Sequence, residues 1–267
     1  MDRFGQDLRT PLAASLWLCL TCVSALRAAQ GAPPRRVVSL VPAATELVEA
    51  LGAGDRLVGV GRDDEEASRW QVPRLGGPAD PALEAIAALE PDLVVAWEGI
   101  TGPVALARFR TLGARVYLVR IETLADIERT ARGLGRLLGR FAAGDSVARS
   151  IAGTFDSIRS RPTAARGVRP SVAFVLHGRS PFLSAGPGTY LDEVVRTAGG
   201  RNAFGNAPVR WPRVSAEALA ARRPDVLVLA EEEAAGFLER GPWRGLPAVR
   251  NEWILRVPRA RLLHPGP

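Results

Sequence analysis

The chain has 267 residues, 47% of them hydrophobic, with a formal charge of +7 and a pI near 10.8. That length accommodates two modest α/β lobes or one large domain. The charge suggests a nucleic-acid surface, but its distribution excludes one: there is no lysine, and the 35 basic residues are arginines scattered among 28 acids without a basic run.

The chain opens with Arg3 and Arg9 ahead of an apolar run from Pro11 to Leu26, followed by small residues at 23–25 and 29–31. Residues 1–31 are therefore predicted to be a signal peptide, which implies export to the periplasm. The run is short for a membrane span, and a retained anchor is the other reading. Cys19 and Cys22 both fall inside it, and neither follows the small residues of a lipoprotein signal. The exported chain would carry no cysteine and need no disulfide.

Beyond the leader, Arg36 to Leu40 reads as a strand, Thr45 to Leu51 as a helix ending at Gly52, and Arg56 to Val60 as a second strand. This strand-helix-strand unit places its first loop, Val41-Pro42-Ala43-Ala44, at the carboxyl edge of a parallel sheet, where open α/β folds bind ligands. Arg62 to Gly77 reads as a rim loop. Next comes an internal match. The stretch from Glu84 through Pro91-Asp92 to Ala96 repeats as Glu217 through Pro224-Asp225, each with Glu seven residues before Pro-Asp. Each copy predicts a capped short helix, with Asp80 or Ser215 as the cap, then a proline stop and an apolar strand. A spacing of about 130 residues is too long for a solenoid, so the match predicts two lobes of like build.

The first copy's strand ends at Trp97-Glu98-Gly99; a helix at Pro103–Leu112 and a strand at Arg115–Arg120 follow. From Leu124 to Arg161 apolar residues recur at steps of three and four, predicting one helix roughly 55 Å long. Glycines at 133, 135, 139, 144 and 153 weaken it, so it needs packing on both sides. The second half offers strands at Ser171–His177 and Trp253–Val257, helices at Leu191–Ala198 and Ala234–Arg240, and a terminal loop from Leu263. The predicted organisation is a signal peptide (1–31), an N-terminal α/β lobe (32–121), a long connecting helix (122–162) and a C-terminal α/β lobe (163–267).

A catalytic reading finds little. Two histidines, His177 and His264, are too few for a multi-histidine metal site, and without lysine there is no phosphate loop of the Walker type. Gly186-Pro187-Gly188-Thr189 lacks a nucleophilic serine. Trp97 and Trp211 fall at element ends where an interlobe cleft would open; two indoles there suit a large, flat ligand, and lobe core is the competing reading. Glu84 and Glu217 lie in first helical turns, where a carboxylate favours the helix dipole, and together they place one acid on each lobe.

Taken together, Arg36-Val-Val-Ser-Leu-Val-Pro-Ala-Ala-Thr-Glu46, Pro73-Arg-Leu-Gly-Gly77, Leu83 to Trp97, Thr189 to Phe204 and Trp211-Pro-Arg-Val-Ser-Ala-Glu217 resemble the helical-backbone periplasmic binding proteins of ABC importers, in particular the vitamin B12-binding branch. The resemblance implies an α/β fold of two lobes, each with a mainly parallel sheet flanked by helices, joined by one long backbone helix. It implies a monomer that captures a corrinoid between the lobes and delivers it to an importer permease. Catalytic residues, a metal centre and a cofactor are not part of that expectation. Trp97 and Trp211 match aromatics that pack on the corrinoid, Pro42 and Ala43 match a cleft-lining loop, and His177 stands where the family has an aromatic. Glu84 and Glu217 match acids that meet permease arginines. The sequence departs from the pattern at Arg62-Asp63-Asp64, where the family has a cleft tyrosine, and at Leu75-Gly76-Gly77, where a further tryptophan has no counterpart. A final helix after Pro265-Gly266-Pro267 is also missing, which predicts an apolar patch on the second lobe. Heme or a ferric siderophore on the same scaffold is the alternative ligand.

Overall fold

Short apolar runs become parallel strands in two separate sheets of a computed structural model that describes residues 32–64, 67–161, 169–177, 180–232, 234, 242–264 and 266–267. The first sheet holds β1 (Val37–Ser39), β2 (Leu57–Val60), β3 (Leu93–Trp97) and β4 (Arg115–Val119), in the order β2-β1-β3-β4. The second holds β5 (Ser171–Val175), β7 (Arg201–Asn202), β9 (Val226–Ala230) and β10 (Ile254–Val257), in the order β10-β9-β5-β7. Every pairing within these two sheets is parallel. A two-residue antiparallel ladder joins β6 (Phe182–Leu183) to β8 (Arg213–Val214). The predicted leader lies outside the described residues, as does nearly all of the predicted helix at 234–240. Among the described residues no helix is long and apolar enough to cross a membrane.

Parallel strands covered on both faces read as unbroken apolar runs, because successive side chains enter different layers. In the first sheet Val37, Leu93 and Val95 enter one core, with Leu47 and Val48 of α1 (Pro42–Ala50); Val38 and Val94 enter another, with Ile86 of α2 (Leu83–Ala88) and Phe109 of α3 (Pro103–Thr111). The second sheet repeats the scheme. Ala173, Val175, Leu227 and Leu229 pack one way, while Val172, Phe174 and Val228 pack the other.

The predicted backbone helix is two helices, α4 (Leu124–Leu137) and α5 (Phe141–Arg159), about 21 and 28 Å long. Gly139 adopts φ +68°, its N–H donates to the Arg136 carbonyl, and the Arg140 N–H donates to the Gly135 carbonyl at 2.7 Å. This left-handed glycine cap ends α4 and turns the chain back on itself. The returning helix comes so close that a Cβ on Gly135 would lie 2.9 Å from Gly144 Cα. Arg132 Nε and Asp145 Oδ1 pair across the hairpin at 3.5 Å, and Leu124 shares a groove with Phe155. The glycines thus stop one helix and seat the next, and the stripe's Phe141 is 55% exposed.

The internal match is structural. Glu90 and Arg223, each one residue before the proline, take left-handed φ of 44° and 45°. Each following aspartate then holds the start of the neighbouring strand: Asp92 accepts the N–H groups of Arg35 and Arg36 at 2.7 and 3.0 Å, and Asp225 that of Ser171 at 2.8 Å. Both copies lead into an interior strand, β3 or β9.

Candidate functional site

In a parallel sheet all strands end on one edge, and the connecting helices run back the other way. In the first sheet Trp97 is the last residue of β3 and pairs in register with Val119 at the end of β4. The Thr101 hydroxyl oxygen accepts the Trp97 N–H at 3.2 Å, and the indole is half-buried against the core beneath it. Pro42 is the first residue of α1, so the helix starts earlier than Thr45, as proline's fixed φ allows. Pro42 is buried along a cavity wall, whereas Ala43 is 1% exposed and packs in the core.

In the second half Trp211 sits on the loop before β8, half-buried, its ring 5.8 Å from that of Tyr190. Tyr190 opens α6 (Tyr190–Thr197), is 5% exposed, and donates its hydroxyl to the Leu262 carbonyl; burial drives its pKa upward. His177, exposed just past β5, bridges Leu183, whose N–H donates to the His177 carbonyl at 2.8 Å. The two halves meet at Glu122, three residues beyond Val119. Its carbonyl accepts the Tyr190 N–H at 2.7 Å, and its carboxylate takes Arg210 Nη1 at 3.1 Å. Through the sheet register of Trp97 with Val119 and the pairing of Arg210 with Glu122, both tryptophans lie near one short segment, residues 119–122. Leu124, just after it, packs against cores of both halves.

The acids behave as matched surface groups. Glu84 and Glu217 are exposed second residues of α2 and of α7 (Ala216–Arg222). These helices end beside the starts of β3 and β9, so their amino ends point toward the carboxyl edges of the two sheets. Ser215 caps α7 as predicted, accepting the Ala218 N–H at 3.2 Å. The Glu217 backbone N–H and the Ser215 hydroxyl hold the Glu217 carboxyl below the usual range. Asp80 does not cap α2: it pairs with Arg62, whose guanidinium lowers the Asp80 pKa while its own rises.

A cavity of about 1060 Å³ has neither Trp97 nor Trp211 in its lining. It runs between the α4/α5 hairpin and one face of the second sheet, with Ile127, Phe155, Phe174 and Val228 on its walls and Glu46 and the 3%-exposed Asp64 among its polar groups. The exposed apolar residues Val194 and Leu255 open onto it. Sequence reasoning missed Tyr190, Glu122 and Arg210. A Thr-Tyr pair at a helix start and an acid just before the Thr123 cap are weak signals without the long-range partner.

A family model described as periplasmic binding protein matches residues 37–260. The vitamin B12-binding protein of Vibrio cholerae serotype O1 is 29% identical over 229 residues, covering 84% of this chain and 82% of the relative. Among solved structures, the periplasmic vitamin B12-binding protein BtuF of Vibrio cholerae is similar with a TM-score of 0.73 and 28% identity, covering 88% of this chain and 91% of that one. The periplasmic heme-binding protein RhuT from Roseiflexus sp. RS-1, in apo form, has a TM-score of 0.77 and 27% identity, with coverage of 87% and 92%.

Proposed function

Since the chain belongs to the periplasmic binding protein family, we propose that it is an exported, non-enzymatic carrier that captures a corrinoid at the carboxyl edges of its two sheets and delivers it to an ABC importer. The observation that carries this reading is the placement of two half-buried tryptophans near residues 119–122, Trp97 paired in the sheet with Val119 and Trp211 next to the Arg210 that pairs with Glu122. Large aromatic faces with one side in protein and one side free suit a flat macrocycle held by stacking and burial. Pro42 at the start of α1 and the exposed His177 past β5 are further ligand contacts in this reading. Binding shifts the protein toward orientations in which both indoles touch the ligand, and no covalent step is involved. Glu84 and Glu217, exposed at matching positions, dock the loaded carrier on permease arginines, one acid per half.

Heme is the second reading, favoured by the likeness to RhuT and by His177, an imidazole at the strand edge able to meet iron. Tyr190 is a poor rival for that role, because its hydroxyl is spent on the Leu262 carbonyl. Tryptophan fluorescence titrations with cyanocobalamin, hemin and a ferric siderophore separate the readings. Saturable quenching by cyanocobalamin with weak response to the others supports the corrinoid; a response to an iron ligand alone moves the function to iron uptake; silence with all three refutes tetrapyrrole and siderophore capture together.

A further inference from the structure

The segment between β4 and α4 is held at Glu122 from three directions. Its N–H donates to Asp126 Oδ2 at 3.1 Å, its carbonyl accepts from Tyr190 N at 2.7 Å, and its carboxylate accepts from Arg210 Nη1 at 3.1 Å. Two residues on, the Leu124 N–H donates to Glu193 Oε2 at 2.9 Å. Arg210 is fixed at both ends, since its carbonyl accepts the Gly186 N–H at 2.7 Å while its side chain reaches Glu122. Trp211 is the next residue, and its ring leans on Tyr190, whose own N–H is bonded to Glu122. Both neighbours that set the indole thus answer to the same glutamate.

We infer that Glu122 is a positioning residue for the ligand: through Arg210 and Tyr190 it presets the Trp211 indole relative to the segment that leaves β4 beside Trp97. The inference rests on Trp211 as a ligand-stacking residue. A side chain held in its bound orientation loses less conformational freedom on binding. The pair itself is partly wet, with the Glu122 side chain 22% and the Arg210 side chain 52% exposed, so it adds little to global stability. Its effect should therefore show in binding, as a loss of about two- to fivefold in affinity from ordering the Trp211 side chain.

The test uses the full exported chain labelled with 5-fluorotryptophan, with Trp211→Phe assigning the Trp211 ¹⁹F resonance. Glu122→Gln and Arg210→Ala should each move or broaden that resonance without ligand, leave the Trp243 resonance in place, and leave the urea midpoint unchanged. In titrations with cyanocobalamin and hemin, Glu122→Gln should weaken whichever is bound by about two- to fivefold, and should add nothing in a Trp211→Ala background. An unmoved Trp211 resonance overturns the inference, as does an equal loss of affinity in both backgrounds. If the wild-type protein binds neither compound, the functional reading fails, and the ligand-free resonance alone decides whether Glu122 positions Trp211.

Discussion

Three tryptophans in different surroundings allow packing and ligand contact to be separated. Trp243 is 5% exposed and meets Phe182 edge-on, with ring centroids 6.4 Å apart. Truncating such a core indole to alanine costs about 3–5 kcal/mol of stability. Trp97 and Trp211 are half-buried, so with much of each ring already wet the same change should cost about 2 kcal/mol. If their free faces stack on ligand, each alanine variant should also weaken binding by at least about 1 kcal/mol, or roughly fivefold. Urea unfolding and equilibrium dialysis against cyanocobalamin and hemin, on the same preparations, give both numbers. Trp243→Ala should lose the most stability while its folded fraction binds normally, and Trp97→Ala and Trp211→Ala should show the reverse order. Trp97→Ala and Trp211→Ala variants as destabilised as Trp243→Ala, with unaltered binding by the folded fraction, would assign both indoles to the core.

Replacing Glu84 and Glu217 together by alanine should leave ligand affinity intact and abolish stimulation of the importer's ATPase in proteoliposomes; unchanged stimulation removes the docking role. Gly135→Val would drive a side chain into the Gly144 backbone, 2.9 Å from a Cβ, and force the hairpin apart. It should lose about 2–3 kcal/mol in urea unfolding, whereas a single continuous helix would tolerate it far better. Burial pushes the Asp126 carboxyl upward, but the Thr123 hydroxyl, the Glu122 and Thr123 N–H groups and Arg129 outweigh it and hold the carboxyl below its ordinary value. A folded pKa below the unfolded one gives stability that is present above about pH 4 and lost as pH falls through the folded value. Asp126→Asn should therefore cost about 1 kcal/mol at pH 7, with the gap to wild type closing below about pH 4.

What the sequence revealed and what it hid follow from the range of the interactions. The unbroken apolar runs Val37-Val38 and Leu93-Val94-Val95 are local, so the strands and their order of appearance were legible. The Pro-Asp repeat was visible as letters, yet its cause was not: each aspartate reaches a strand start 54–57 residues away. The hairpin was hidden because its apolar stripe keeps helical spacing through Leu134, Leu138 and Phe141, while the turn is set by the left-handed φ of Gly139 and the close approach of Gly135 to Gly144. The two-residue strands β6 and β8 are too short to carry a period. The indoles could be named as candidates, but Tyr190, Arg210 and Glu122 acquire meaning only when residues 68 to 88 positions apart meet.

In the proposed function one ligand lies against Trp97 and Trp211 at once. It is tested most directly by the ¹⁹F spectrum of the 5-fluorotryptophan-labelled protein before and after saturation with cyanocobalamin, and separately with hemin. The Trp97 and Trp211 resonances should shift together at a 1:1 ratio while the Trp243 resonance stays in place. A saturable ligand that moves neither resonance, or moves only one of the two, would contradict it.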